Sequence, residues 1–465
     1  MVNKSIALSL ALVGLAGCAL LPPSQPIART GITSVTQKAH VYKIAGLPDA
    51  FKYLIDCSDP NAVAAKLPKE TTILSADNEN GILIVLSSDP DFVEKTEKID
   101  GVNGAALDQR FQTIPPMVAR PLVKTKRIQS ATDELFPAQW GMRQIQAEKA
   151  WEYSKGKGVR VAVIDTGVDF NNPDLAPNLD LKSGGNVIDY GPDQAAGLMD
   201  LMGHGSHVAG IIAAAKNGFG VVGVAPKAVI VPIKAATWDG GGTVGDAIAG
   251  IRLALRAKVD IINLSLGFTY DQSDPAERKL ANALKKVIHR AASLGVLVVC
   301  ASGNEATDLG QTPMLPVSVG DTLGVSATGP VNQQDFDAFA LYSNYGKGVD
   351  LAAPGGNVAF DASGTPTLAD ISDLVLSTWS SSAIEQTFFG IPLSPAPHMY
   401  MIGTSMAAPH VAGTAALVLA RFPYLSLPQL RHQLLETADD LGPSGKDAFF
   451  GNGRVNAYQA VRSLK

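Results

Sequence analysis

The chain has 465 residues, of which 46% are hydrophobic and 17% are charged, and its formal net charge is −5 with a pI near 5.8. This length predicts two or more domains, the hydrophobic content excludes a disordered chain, and the acidic balance argues against binding to nucleic acid. The three cysteines, Cys18, Cys57 and Cys300, are too few for a disulfide framework.

The N-terminus has the pattern of an export signal. Lys4 provides a weak positive start, the apolar run IALSLALVGLAG is too short for a membrane span, and Cys18 follows it directly. LAGC, at residues 15–18, resembles the lipobox of bacterial lipoprotein signal peptides, which are cleaved before a cysteine that is then lipidated. The resemblance implies a signal peptide over residues 1–17, a lipidated Cys18 and a tether over residues 18–39. Such a chain is secreted across the inner membrane and stays anchored at the cell envelope or outside the cell. An ordinary signal peptide is the alternative.

A second unit is predicted between residues 40 and 110. The runs GILIVLSS (81–88) and GVNGAALDQ (101–109) indicate strands on either side of a helix predicted over residues 89–100, which gives a β-α-β fragment of a small α+β domain. Residues 111–132 contain three prolines, four basic residues and no acidic residue. They are predicted to form an exposed linker.

From residue 133 onward, apolar runs alternate with helical patterns. Strands are predicted at residues 159–165, 228–236, 259–267, 295–304 and 349–355, and helices at residues 245–258, at residues 274–295 and after Ser405. This alternation predicts an α/β domain whose mostly parallel sheet is covered by helices on both faces. Polar residues at the carboxyl ends of its strands are then the candidates for chemistry.

Three such residues have the right types for nucleophilic catalysis. Asp165 ends the first strand, His204 precedes a helix rich in small residues, and Ser405 begins the helix in GTSMAAPHVAG. A serine hydroxyl is a poor nucleophile near neutral pH, so it needs an imidazole to take its proton and a carboxylate to orient that imidazole. In the Ser405 helix, Pro409 is expected to fall within the first turn, where backbone N–H groups lack partners in any case.

The chain from residue 133 to 463 resembles the subtilisin-like serine proteases, the subtilases. VAVIDTGVD, GHGSHVAG and GTSMAAPHVAG match the three catalytic motifs of that family, and INLSLG and ASGNE match two more. The resemblance implies a subtilisin-like three-layer α/β fold and a serine endopeptidase. Carried onto the matching positions, Asp165 is the orienting carboxylate, His204 the general base and then acid, Ser405 the nucleophile and Asn304 the oxyanion donor.

The resemblance also implies partners. Peptide substrates would bind in an extended conformation between two edges formed by Ser265, Leu266 and Gly267 and by Gly241 and Gly242. A structural calcium ion would be held by oxygens of Asp174, Asn217, Ala215, Phe219 and Val221, with Asp133 as a further ligand, although a metal-free turn is the alternative. Residues 40–110 resemble the inhibitory prodomains of subtilases, so the linker at 111–132 would carry the processing site and residues 133–465 the enzyme. A permanent spacer is the other possibility.

Two other functions are alternatives to a serine protease. A zinc hydrolase could use His204 and His207 with Asp200 nearby, but no glutamate lies between the histidines and no third clustered ligand is present, so we expect no catalytic metal. A non-catalytic surface lipoprotein with the same fold is the remaining alternative. We expect a monomer. The preferred substrate stays open, because residues 310–319 match the family poorly and residues 356–398 are longer than its usual connection.

Overall fold

The computed structural model describes residues 50–108, 110–112, 120–121, 133–360, 366–367, 370–384, 386–388, 391–393 and 395–465. The predicted signal peptide, Cys18 and the tether lie outside the described residues, and so does most of the linker. Among the helices described, none combines the length and the apolar character that crossing a bilayer requires.

The N-terminal domain, residues 50–108, is a small α+β unit, as the sequence predicts. Its elements are β1 (Phe51–Cys57), α1 (Pro60–Ala64), β2 (Thr72–Asp77), β3 (Ile82–Ser87), α2 (Phe92–Glu97) and β4 (Val102–Leu107). The four strands form an antiparallel sheet in the order β2-β3-β1-β4. The domain has a hydrophobic core of its own, built around Tyr53, Ile55, Leu83, Val85 and Phe92.

Two short strands follow the N-terminal domain, and a large α/β domain comes after them. The short strands are β5 (Arg110–Gln112) and β6 (Arg120–Pro121). The first half of the large domain contains α3 (Trp140–Gln144), α4 (Ala147–Ala150), β7 (Arg160–Asp165), β8 (Gly185–Asn186), α5 (Gly191–Ala196), α6 (His204–Ala213), β9 (Val229–Lys234), β10 (Gly241–Thr243), α7 (Val244–Arg256), β11 (Ile261–Leu264), β12 (Phe268–Thr269) and α8 (Pro275–Ser293).

The second half of the large domain carries the long connection and the C-terminal helices. Its elements are β13 (Leu297–Ala301), β14 (Met314–Leu315), β15 (Thr322–Thr328), β16 (Val349–Pro354), β17 (Ala359–Phe360), β18 (Pro366–Thr367), β19 (Val375–Thr378), β20 (Gln386–Phe388), β21 (Ile391–Leu393), β22 (His398–Met401), α9 (Thr404–Arg421), α10 (Leu427–Glu436) and α11 (Ala457–Arg462). Short 3-10 helices lie at Phe136–Ala138, Ala176–Asn178, Val317–Val319 and Ile371–Asp373.

A seven-stranded parallel sheet in the order β16-β15-β13-β11-β7-β9-β8 forms the centre of the large domain. Helices α6 and α9 pack together on it, and α7 and α8 form a second packed pair. The central strands β11 and β13 are buried along their whole length, which explains their continuous apolar sequences. This confirms the predicted fold class, in which the carboxyl ends of β7, β11 and β13 lead into the motifs with Asp165, Ser265 and Asn304.

Helix starts are fixed by local signals. Thr243 and Asp246 form a reciprocal capping box at the start of α7, and the Asp274 side chain accepts the Ala276 N–H ahead of Pro275 in α8. The expectation for Pro409 was wrong, since α9 begins at Thr404 and Pro409 therefore lies beyond the first turn. In a regular helix the N–H of residue 409 would bond to the Ser405 carbonyl, which proline leaves free.

The linker strands pair with two separate edges of the large domain. β5 runs antiparallel to β10, with Gly241 opposite Gln112 and Gly242 opposite Phe111. β6 runs antiparallel to β22, which ends at Met401, just before Ser405. The linker therefore pairs with two different strands of the large domain, one of which, β22, leads to Ser405.

The N-terminal domain itself packs on α8 and α7. Lys286 on α8 forms an ion pair with Asp56, and Lys52 reaches Asp246 at the start of α7 at 2.6 Å. The second of these pairs is buried on both sides. Together with the linker strands, these contacts hold the N-terminal domain against the large domain.

Candidate active site

Asp165 and His204 form a buried pair at the carboxyl end of the sheet. His204 Nδ1 donates to Asp165 Oδ1 at 2.7 Å, and neither side chain is exposed to solvent. Burial alone would lower the pKa of His204, but the charge and hydrogen bond of Asp165, together with the charge of Asp200, raise it above its ordinary value. The pair therefore favours the protonated imidazole while leaving the ring in one fixed orientation.

The other ring nitrogen of His204 is available for proton transfer. His204 Nε2 is buried and has no hydrogen-bond partner among the described residues. Leaving a buried polar atom unpaired costs roughly 1–3 kcal/mol, so this nitrogen gains from a partner such as a reacting hydroxyl. His207 donates from Nε2 to the carbonyls of Val375 and Met399, its Nδ1 has no partner among the described residues, and burial lowers its pKa to about 3. His207 is thus a neutral structural residue.

Ser405 is the second residue of α9 and is buried at the helix start. Its Oγ donates to the Ser265 carbonyl at 3.1 Å, and its own carbonyl accepts from Ser265 Oγ at 2.9 Å. That carbonyl is the one left free by Pro409, so the proline allows Ser265 to bond to the helix start. Ser265 Oγ in turn accepts from Asn263 Nδ2 at 2.9 Å.

Asn304 follows β13 and points its amide toward the same helix start. Its Oδ1 accepts from the backbone N–H and the hydroxyl of Thr404, both at 2.9 Å. Its Nδ2 is buried without a partner among the described residues and lies beside Gly403, where an added Cβ would be 3.4 Å from it. The amide is thus fixed through its oxygen, and its N–H donors are left free next to Ser405.

Glu305 and Asn344 fix the loop that carries Asn304 through hydrogen bonds. The Glu305 Oε2 accepts from the Asn304 N–H at 2.9 Å and from Asn344 Nδ2 at 2.6 Å. Asn344 Oδ1 accepts the Glu305 N–H at 3.0 Å. The Glu305 carboxylate is therefore engaged with the loop that carries Asn304.

Of the two edges predicted to bind substrate, the one with Ser265 contacts Ser405 directly. Ser265 and Leu266 are buried, and a Cβ at Gly267 would lie 2.5 Å from the Leu315 carbonyl, so only glycine fits there. On the other edge, Gly241 and Gly242 already pair with β5 as an antiparallel strand. That edge therefore accepts an extended backbone.

The predicted calcium loop is folded around Asp174. Asp174 Oδ2 accepts from the Val221 N–H at 3.0 Å and from His398 Nε2 at 2.9 Å, and Asn217 Nδ2 lies 3.3 Å from Oδ1. Asp133 Oδ1 accepts from the N–H groups of Asn217 and Gly218 and so braces the turn.

The loop has backbone oxygens that are free to bind calcium. The backbone carbonyls of Ala215, Phe219 and Val221 accept no hydrogen bond from any described residue. These three carbonyl oxygens suit a hard cation. The side-chain oxygens are already engaged, since Asn217 Oδ1 accepts the Phe219 N–H at 2.9 Å and both Asp174 oxygens accept hydrogen bonds. No group of three or more His, Cys, Asp or Glu side chains among the described residues is arranged to hold a metal.

Part of the long connection at 356–398 packs against the helix that carries His204. Ser377 Oγ donates to the His207 carbonyl, Thr378 Oγ1 to the Ser206 carbonyl and Ser380 Oγ to the Asp200 carbonyl. Trp379, fully buried, lies so close to Gly203 that a Cβ at that position would overlap its ring. This segment therefore fixes the start of α6.

Comparison with known proteins identifies the family. A model of the subtilase family matches residues 156–453. The chain belongs to the subtilase family. Its membership makes this subtilase a serine endopeptidase, which confirms the predicted enzyme class.

Several characterised proteases are similar to this subtilase over most of its length. Subtilisin BL and subtilisin Savinase of Lederbergia lenta are each 34% identical over 324 residues, which cover 70% of this chain and 98% of theirs. The thermostable alkaline protease of Halalkalibacterium halodurans is 28% identical over 412 residues, covering 88% of this chain and 96% of its own. The similarity to the last protein extends into the N-terminal region.

Solved structures show the same fold. Fervidolysin of Fervidobacterium pennivorans, a keratinolytic enzyme related to subtilisin, has a TM-score of 0.67 and 24% identity over 91% of this chain and 62% of its own. A lanthipeptide protease has a TM-score of 0.59 and 28% identity over 71% of this chain and 94% of its own. Because fervidolysin is so distant in sequence, its likeness shows the fold alone.

Asp200 and Thr166 join the Asp165–His204 pair of this subtilase to the start of α6. The sequence indicated Asp200 only as a neighbour of the alternative zinc site and did not indicate Thr166. The Thr166 N–H donates to Asp165 Oδ1, and Thr166 Oγ1 donates to Asp200 Oδ1. The position of Asp200, four residues before His204 and just ahead of a helix, is the signal that could have indicated it.

Proposed function

We propose that this subtilase hydrolyses peptide bonds through an acyl-enzyme on Ser405, with Asp165 and His204 as its partners. The observation that carries the proposal is the buried Asp165–His204 hydrogen bond of 2.7 Å combined with a His204 Nε2 that has no partner among the described residues. A non-catalytic binding protein is not favoured, because the chain belongs to a family of serine endopeptidases and has Asp165, His204, Asn304 and Ser405 at the matching positions.

The mechanism follows from these atoms. Ser405 Oγ turns from the Ser265 carbonyl toward His204 Nε2, which takes its proton as Oγ attacks the substrate carbonyl carbon. The resulting oxyanion accepts from Asn304 Nδ2 and from the Ser405 N–H at the positive end of α9. When the carbon–nitrogen bond breaks, the imidazolium returns its proton to the leaving amine. Water then hydrolyses the ester by the same route, and Asp165 holds the imidazolium throughout.

The N-terminal domain and linker act as an inhibitory, self-processed prodomain. Support comes from the pairing of β5 with Gly241 and Gly242, which is the mode by which an extended substrate would add to that edge. β6 pairs with β22. Residues 113–119 join these two strands, so we place the processed bond between Gln112 and Arg120.

Calcium binding at the Asp174 loop is a further part of the proposal. Asp174 and Asn217 would supply side-chain oxygens, and Ala215, Phe219 and Val221 would supply carbonyls, while Asp133 braces the loop from outside. A cation bound there would stabilise the folded loop and would take no part in the chemistry.

The subtilase is also proposed to be exported and anchored by a lipid on Cys18. The support is the LAGC sequence at residues 15–18 and the extracellular location that the name of one relative states, the minor extracellular protease Epr of Bacillus subtilis. Epr is 31% identical over 323 residues, which cover 69% of this chain and 41% of Epr.

The Ser405→Ala precursor tests the proposal. It should remain uncut between Gln112 and Arg120, whereas the unmodified precursor should yield an enzyme whose N-terminus lies in that interval. Adding a trace of active enzyme should then cut the Ser405→Ala precursor in the same interval, which shows that it is folded. Self-cleavage of the Ser405→Ala precursor in the absence of any other protease would reject the assignment.

A further inference from the structure

A second buried carboxylate lies beside the catalytic pair. Asp200 has no exposed surface, and its two oxygens accept from five donors. Oδ1 accepts from Thr166 Oγ1 at 2.9 Å, the Met202 N–H at 3.0 Å and the Gly203 N–H at 2.7 Å. Oδ2 accepts from the Ser206 N–H at 2.8 Å and from Ser206 Oγ at 2.7 Å. These five hydrogen bonds hold the Asp200 carboxylate in one position.

These contacts join the two elements that carry Asp165 and His204. Thr166, next to Asp165, donates its hydroxyl to Asp200 and accepts the Gly205 N–H at 2.9 Å. N–H groups in the first turn of a helix have no partners within the helix. Here those of Gly203, Gly205 and Ser206 are bound by Asp200 directly or through Thr166, so the carboxylate fixes where α6 begins relative to β7.

The charge of Asp200 also acts on His204. It raises the pKa of His204, alongside the larger effects of burial and of Asp165. The other titratable groups nearby are His207 on α6 and His410 on α9, whose pKa values burial lowers to about 3 and about 4, so both are neutral near pH 7. The uncharged Trp379 packs on Gly203 from the long connection. Asp165 and Asp200 are therefore the two negative charges that face the imidazole.

We propose that Asp200 is a positioning residue of the reaction, which fixes His204 through the start of α6 and places a second negative charge near the imidazolium. The inference rests on the proposed role of His204 as the proton carrier. If Asp200 only caps α6, it orients the His204 ring. If its negative charge also acts on His204, it stabilises the imidazolium in the transition state. The two roles give different pH profiles.

The Asp200→Asn variant distinguishes the structural role from the charge effect, because the asparagine amide has the same shape as the carboxylate but no charge. In the mature enzyme, the acid limb of kcat/KM for a labelled protein substrate should move to lower pH by about half a unit, since losing a negative charge lowers the pKa of His204. The plateau should fall roughly ten- to a hundredfold through the poorer positioning of His204.

The matched control is Asp169→Asn. Asp169 is also a buried carboxylate close to α6, but it accepts from Asn171 and Ser381 and does not contribute to the pKa of His204. Its acid limb should stay in place. An Asp200→Asn limb that also stays in place, with only a lower plateau, would overturn the proposal, because that is the result of a structural cap.

A second measurement does not depend on activity or maturation. In the Ser405→Ala precursor, the His204 resonance followed by NMR should titrate at lower pH when Asp200→Asn is added. An unchanged titration would overturn the proposed charge effect even if the variant fails to process. Failure of the proposed function would look different, since the Ser405→Ala precursor would then process itself while the His204 titration still shifted.

Discussion

Release of the prodomain should depend on pH through Asp108. This carboxylate is buried between the two domains, and its Oδ1 accepts the Gly245 N–H at the start of α7 at 2.9 Å. Burial is the main cause that raises its pKa to about 6. The charge of Lys52 opposes this effect and that of Asp246 adds to it. Three groups with two negative charges and one positive charge thus meet in a buried contact.

The sign and size of the effect follow from linkage. In the separated prodomain Asp108 is exposed, and its pKa returns to about 3.9. Association therefore takes up a proton, so the stabilisation is complete below about pH 4 and is lost as the pH rises through about 6. With these two values, the dissociation constant increases about tenfold between pH 5 and pH 7.5. Inhibition should be tighter in acid.

The assay is the inhibition constant of isolated residues 50–112, which have their own hydrophobic core, against the mature enzyme at pH 5 and pH 7.5. The Asp108→Asn prodomain should lose most of the tenfold difference, because the amide does not titrate. Comparing the two forms removes the contribution of other interface groups such as Glu97, which pairs with Lys279. Equal pH dependence in both forms would refute the reasoning.

Three further predictions concern the oxyanion donor, the cation and the anchor. Asn304→Ala should lower kcat by roughly 10²–10³ with little change in KM, because Nδ2 acts only on the oxyanion; an unaltered kcat would remove Asn304 from the mechanism. Calcium should raise the melting temperature of the subtilase but not of the Asp174→Asn variant, and an equal rise in both would exclude Asp174 as a ligand. Cys18→Ser should move the exported protein from the membrane to the soluble fraction, and unchanged membrane association would rule out lipidation.

Much of the fold could be predicted because the central strands are buried on both faces. β7, β9, β11, β13 and β16 all lie within the apolar runs expected to form strands. β15 was missed because Gly324, Ser326 and Thr328 interrupt its apolar pattern, although all seven of its residues are buried between β13 and β16. Small and hydroxyl residues fill a crowded sheet interior as well as larger ones do, and a periodicity argument cannot detect this.

The candidate site could also be predicted only in part. Motifs placed Asp165, His204, Asn304 and Ser405, since each motif is a short stretch of sequence. The Ser265–Ser405 hydrogen bonds join residues 140 positions apart, so no local pattern could indicate them. The sequence prediction for Pro409 was wrong for this reason. The helix accommodates a proline at this position because the distant Ser265 bonds to the free Ser405 carbonyl, and not because the proline lies in the first turn.

The sequence likewise could not predict that the linker pairs with two strands of the large domain. Proline and basic residues predict exposure, and they carry no information on which strand a short segment will join. The pairing of β5 with β10 and of β6 with β22 is the reason that the proposed processing site lies between Gln112 and Arg120.

The central claim is that Ser405 is the nucleophile, and covalent labelling tests it most directly. A fluorophosphonate should react once with the mature subtilase, abolish its activity and add its mass to the peptide that contains Ser405. The Ser405→Ala precursor, cut in trans to the mature length, should take up no label. An active, unlabelled enzyme, or a stoichiometric adduct on any residue other than Ser405, would contradict the assignment.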